Sequence, residues 1–248
     1  MDIGIYQSAA SLSALERWQD AVAQNITSGQ VTGYRKRTVE FSTQTAGQWQ
    51  LDANSSSGDA TVPAIFPKAT NGISFTSGET QPTGRDLDVA IQGDGFFEVQ
   101  RPDGSHAYTR SGEFSIRPDH TLVNTAGGLV LSDGGSPIVL QPEGGKVTIN
   151  ADGSIVQGST TVGRIAVQNF ADKSQLVPIA GGLFVASSGA TATPVPKPTI
   201  LQGYLEGSNV APLREMVNLV LISRAYDANQ RVITNTDDQM QKTLTALG

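Results

Sequence analysis

A thin apolar stripe with helical spacing runs along each end of this chain, and between them the spacing changes to two. Ile5, Leu12, Leu15, Val22 and Ile26 recur at steps of seven, three, seven and four, which predicts a helix from about Ile5 to Ile26. The residues between them are mostly polar, so the stripe is closer to a coiled-coil seam than to the face of a globular helix. Gly29 and Gly33 stop it, and Arg35-Lys36-Arg37 follow as a solvated cationic cluster suited to a helix carboxyl end. At the other end, Val217, Leu221, Ala225, Ala228, Val232, Met240, Leu244 and Leu247 fall at helical intervals from Pro212 onward, with Thr236 as a polar interruption. Pro212 suits a first turn and Glu215 complements its dipole. Such a helix is about 50 Å long, too long for a compact domain of this size to cover.

The middle, from about Gly72 to Tyr204, alternates instead. Leu87, Val89 and Ile91 interleave with Asp88, Ala90 and Gln92, and Phe97 and Val99 with Glu98 and Gln100. Asp88 is thereby placed on a polar strand face. Asp103-Gly104, Asp133-Gly134, Glu143-Gly144 and Asp152-Gly153 punctuate the strands, a pattern of short antiparallel strands. Residues 50–63 and 187–198 read as linkers or loops. The expected fold is α+β: a mainly antiparallel central β domain, with long terminal helices pairing as a discontinuous, coiled-coil-like domain. Its parts are an amino-terminal helix at 1–35, a linker or extended region at 36–71, the β domain at 72–204 and a carboxyl-terminal helix at 205–248.

Helices with one thin stripe are marginal in water, because nucleation is costly and little area is buried. Antiparallel pairing of the two ends helps, yet leaves their apolar residues half covered. Copies of the chain stacked head to tail without closure would cover the rest and generate a filament. The expected assembly interface is therefore the two stripes, from Ile5 to Ile26 and from Val217 to Leu244.

Three stretches carry more specific information. Asn25-Ile26-Thr27-Ser28 precedes Thr32-Gly33-Tyr34-Arg35-Lys36. Leu87-Asp88-Val89-Ala90-Ile91-Gln92-Gly93-Asp94-Gly95-Phe96-Phe97 precedes Tyr108-Thr109-Arg110-Ser111-Gly112-Glu113-Phe114. Gln202-Gly203-Tyr204-Leu205-Glu206-Gly207-Ser208-Asn209-Val210 leads into the carboxyl-terminal helix. In this order and over nearly its whole length, the chain resembles the flagellar rod and hook axial proteins. Thr27 and Ser28 stand where those proteins carry Ala and Asn, and His120 stands where they carry Gly. The resemblance implies a core domain made of both terminal segments, an outer β domain, and self-assembly into a helical tube that transmits torque across the periplasm. It also implies other rod proteins as partners, and export without cleavage by the flagellar type III apparatus. The length and the Met1-Asp2 start favour a proximal over a distal rod subunit, while the text around Arg224-Ala225-Tyr226 suits both.

Other chemistries find little support. A net charge of −6 opposes nucleic-acid binding, and the absence of cysteine excludes thiolate nucleophiles and zinc–thiolate centres. The amino terminus does not read as a secretory signal, and no window approaches the roughly 20 apolar residues of a membrane span. Gly93-Asp94-Gly95 lacks the third glycine and the following helix of a dinucleotide loop, so it reads as a tight turn. Asp86, Asp88 and Asp94 match no calcium loop, and His106 and His120 read as surface loop residues. No catalytic residue, cofactor, metal or small-molecule substrate is expected. A β-rich adhesin or tail-like module trimerised by its helices remains the alternative.

Overall fold

The computed structural model describes residues 3–50 and 61–247, which form two compact units. One comprises residues 1–27, 37–73 and 211–248, and the other residues 28–36 and 74–210. The fold is α+β, with mostly antiparallel strands and one long helix at each end.

In the first unit, α1 spans Ile3–Thr27 and α2 spans Pro212–Leu247. Pro212 opens α2, where its missing N–H costs nothing, and the Ala211 carbonyl accepts from Glu215 N at 3.1 Å. Asn25 at the end of α1 reaches Glu215 in the first turn of α2, donating from Nδ2 to Oε2 at 3.4 Å. Gln19 lines a surface groove with Tyr226, so the helices run antiparallel. Leu15, Val22 and Ile222 form the buried core between them, flanked by Trp18, Ile26, Ala225 and Tyr226.

The region expected as a linker or extended segment is a β-ribbon. β1 (Arg37–Gln50) pairs antiparallel with β2 (Thr61–Ile73), with a register shift between Thr45 and Gln48. Residues 51–60, most of the expected 50–63 linker, lie outside the described residues. Period-two patterning misses this ribbon because residues 40–45 are all exposed, on both of its faces. Pro63 and Pro67 are tolerated because a two-stranded ribbon leaves half its backbone groups without strand partners. The ribbon lies on α1: Arg17 Nη1 donates to the Ala69 carbonyl at 3.2 Å, and the Trp18 and Phe41 rings meet edge to face at 5.6 Å.

The second unit is built on a nine-stranded sheet. Its main path runs Leu176–Pro178, Leu183–Ala186, His106–Thr109, Phe96–Gln100, Leu129–Val130, Leu122–Asn124, Phe114–Ile116. Val167–Phe170 joins Phe96–Gln100 and carries Ala192–Pro194 on its other edge, inside the expected 187–198 loop. Phe97, Phe114, Leu122, Ile155, Ile165 and Ile200 are fully buried in one core. Four of the turns are tied alike. Asp103, Asp119, Asp152 and Asp172 each accept from the hydroxyl and the N–H of the Ser or Thr two residues on. Those bonds, the hydroxyl's first, hold all four carboxyls below the usual Asp range. A lowered folded-state pKa gives stability above the unfolded value that is lost as pH falls through the lowered one, so acid loosens these turns. His120 sits at φ 63, the conformation that glycine favours, as its place in the turn requires.

Candidate functional site

Residues from all three sequence signatures meet inside the second unit around one buried carboxylate. Glu206 is 2% exposed and lies between two guanidinium groups. Arg35 Nη2 is 2.6 Å from Glu206 Oε1, and Arg110 reaches Oε2 with Nε at 2.8 Å and Nη2 at 2.7 Å. Gly78 N donates to Oε1 at 2.9 Å, and Gly33 N donates to the Glu206 backbone carbonyl at 2.7 Å. Arg110 spends its remaining donors on the Gly95 and Ile91 carbonyls, at 2.7 and 3.1 Å. Glu206 and Arg110 together therefore tie the turn after α1, the Gly93–Gly95 turn and the strand Tyr204–Glu206 into a single network.

The placement of Arg35 corrects the expectation of a solvated cluster, since its side chain is 2% exposed. A run of three cations resembles a surface run in sequence, and nothing in it marks the carboxylate 171 residues away that makes burial tolerable. Asp88 is a second correction. It is fully buried beside the bridge to Glu113, with Arg85 Nε 3.6 Å from its Oδ1, rather than on a polar face. Alternation placed it outward, but its backbone carbonyl is taken by Gly203 N at 2.7 Å, which draws residue 88 inside.

The other signature residues serve the same junction. Asn209 Oδ1 accepts from Lys36 N at 2.6 Å, while its Nδ2 donates to the Ser74 and Thr76 carbonyls at 2.9 Å each. Ser208 Oγ accepts from Val210 N at 3.2 Å, and Gln202 Nε2 donates to the Asp86 carbonyl at 2.7 Å. Thr32 and Ser111 share a hydroxyl bond of 2.8 Å, and Thr109 Oγ1 donates to the Gly182 carbonyl at 3.1 Å. Phe96 packs edge to face on Phe75, Phe170 and Phe184, Phe97 on Phe114, and Tyr108 on Phe170. Tyr34 is buried, and Gly93, Gly95 and Gly203 take positive φ in turns. Asn25, in the first unit, is fully buried and exchanges two 2.8 Å bonds with the Arg37 backbone.

Gly33 and Gly112 have no room for a side chain. At Gly33, φ is +68 and a Cβ would overlap the Ser111 backbone nitrogen. At Gly112 a Cβ would run into the Val89 carbonyl oxygen, whose residue takes the Gly112 carbonyl in a 3.0 Å bond. Both partners there are backbone and cannot swing away. Gly112→Ala is expected to lower unfolding free energy by at least about 2 kcal/mol, read from urea titration followed by circular dichroism.

The expected interface residues separate into two groups. On α1, Leu15 and Val22 are buried, and Ile5, Leu12 and Ile26 are half-buried. On α2, Ala225 is half-buried, whereas Val217, Leu221, Ala228, Val232 and Met240 are exposed. The Leu244 side chain lies outside the described residues. Ile222 and Tyr226, absent from the expected stripe, take the side facing α1. Turned away from Ile222 is a run the stripe also missed in part: Leu213, Met216, Val217 and Val220, all at least half exposed, with Leu213 at 79%. Steps of three, one and three put these four on one face of α2. At 36 residues against 25, about three turns of α2 also have no counterpart on α1.

Known proteins resemble this chain in sequence. A family model described as the flagellar hook protein FlgE/F/G D1 domain matches residues 90–157. A second, described as flagellar basal body rod FlgEFG protein C-terminal, matches residues 201–246. The flagellar basal-body rod protein FlgF of Caulobacter vibrioides is 34% identical over 248 residues, covering 100% of this chain and 99% of that protein. The FlgF protein of Mesorhizobium japonicum is 30% identical, with 100% and 99% covered. The flagellar basal-body rod protein FlgG of Agrobacterium fabrum is 31% identical, with 93% and 94% covered.

Proposed function

Because the chain belongs to the flagellar basal-body rod protein family, we propose that it is the proximal rod subunit, and that it builds into the rod through its two terminal helices. Membership makes it a structural component of the basal body and not an enzyme. Among the described residues no helix is long and apolar enough to cross a membrane.

The observation that carries the assembly reading is the face of α2 formed by Leu213, Met216, Val217 and Val220, each at least half exposed among the described residues. Contiguous exposed apolar surface marks an interaction site. Repeated contacts of this kind, made without closure, yield a tube, and coiled-coil-like packing of both helices against those of neighbouring subunits would carry torque along it. The proximal position is favoured by the FlgF relatives, which cover the whole chain, where the FlgG of Agrobacterium fabrum covers 93%. Export through the flagellar type III apparatus belongs to the same reading.

The chain contains no cysteine, so a single one can report its neighbours. With Val220→Cys, basal bodies treated with a short thiol crosslinker should yield bands above the monomer, and Asp103→Cys, on an exposed turn, should yield none. Only monomers from Val220→Cys would overturn the proposal. Closed trimers of the purified chain, seen by light scattering, would favour the adhesin-like alternative.

A further inference from the structure

Beside the Arg35–Glu206–Arg110 network lies a small cavity whose lining is unusually cationic. Arg35, Arg110 and Lys173 line it together with Asp94, the Gly93–Gly95 turn and Phe75, Phe96 and Ser77. About 10 Å³ of it is open to the centre of a water-sized particle, so a single sphere somewhat larger than water has room there. Lys173 pairs with the exposed Asp94 at 2.5 Å, and those two charges cancel. Inside, two guanidinium groups face one carboxylate, which leaves a single positive charge in excess. Arg35 gives only Nη2 to Glu206, and its Nε and Nη1 are buried without a partner. Burial pushes the Arg110 pKa down, Glu206 works against that, and Arg35 adds to it.

We propose that this cavity is a binding site for one small monovalent anion of halide size, which takes the free donors of Arg35 and neutralises the excess charge. Water would satisfy the donors but leave the charge. Buried guanidinium groups are stable only when both requirements are met. The single excess positive charge matches a monovalent anion, whereas a divalent oxyanion such as sulfate would overcompensate it. Asp94 is 70% exposed and Lys173 28%, which puts this pair on the path from solvent.

The test uses the full chain at constant ionic strength, with sodium chloride exchanged for sodium gluconate, whose anion cannot enter. Chloride should raise Tm along a saturating curve by roughly 3 °C. Two surface variants should move its half-saturation point in opposite directions. Lys173→Met, which leaves Asp94 to repel the anion, should weaken it at least tenfold, and Asp94→Asn should tighten it. Crystals grown in bromide should show an anomalous peak within hydrogen-bonding reach of Arg35. Equal Tm in chloride and gluconate, a chloride response unchanged in both variants, or water at that position in bromide crystals would each overturn the proposal.

Discussion

Glu206→Ala is expected to destabilise the second unit by about 3–5 kcal/mol, the usual consequence of removing one partner from a buried ionic network. Two guanidinium groups that share this carboxylate, Arg35 at 2.6 Å and Arg110 at 2.7 Å, would be left facing each other without it. A domain of this size is stable by roughly 5–15 kcal/mol, so a fifth or more of the margin is at stake. Asp94→Ala is the comparison, because it also removes a carboxylate paired to a cation. Asp94 is 70% exposed, where solvent screens the pair, and its loss should cost at most about 1 kcal/mol. Urea unfolding followed by circular dichroism measures both. Hydrogen exchange adds a local reading: the Gly78 amide, which donates to Glu206 Oε1, should lose protection in Glu206→Ala even under native conditions. Equal costs for the two variants would mean that the network does not hold the unit together.

What the sequence disclosed, and what it hid, divides along the range of the interaction. Helices α1 and α2 were readable nearly to the residue because periodicity, Pro212 and Gly29 are local signals. The sheet was readable as a class for the same reason. The ribbon of β1 and β2 was not, since its contact with α1 buries too few residues, Ala69 among them, to impose alternation along either strand. The buried network was invisible to pattern reading: Arg35, Arg110 and Glu206 are separated by 75 and 96 residues, and each looks like an ordinary surface charge. Only the resemblance pointed at these positions, without saying that they touch. His120 shows the opposite case. A turn chemistry known in advance fixed its backbone at φ 63, although the residue is not glycine.

Adjacent residues on α2 should give opposite outcomes when each is changed to aspartate. Leu221 is half exposed and flanks the face of Leu213, Met216, Val217 and Val220, whereas Ile222, about 100° further round the helix, is 1% exposed against Leu15 and Val22. A charge at position 221 remains hydrated in the free subunit, so Leu221→Asp should leave the circular dichroism spectrum unchanged and the unfolding free energy within about 0.5 kcal/mol of the parent chain. Buried between subunits, the same charge would have to be desolvated without a partner, at a cost of several kcal/mol per contact repeated along the tube. Leu221→Asp should therefore fail to restore rods or swimming in cells lacking the native chain while remaining a folded protein. Ile222→Asp reverses this pattern. It puts the charge into the small core of the first unit and should cost at least about 4 kcal/mol, unfolding the helices while the sheet of the second unit persists. Trp18, which packs on that core, would report the loss by fluorescence. Normal swimming with Leu221→Asp would place the assembly face elsewhere on α2. A native melt for Ile222→Asp would instead mean that the helices do not depend on each other.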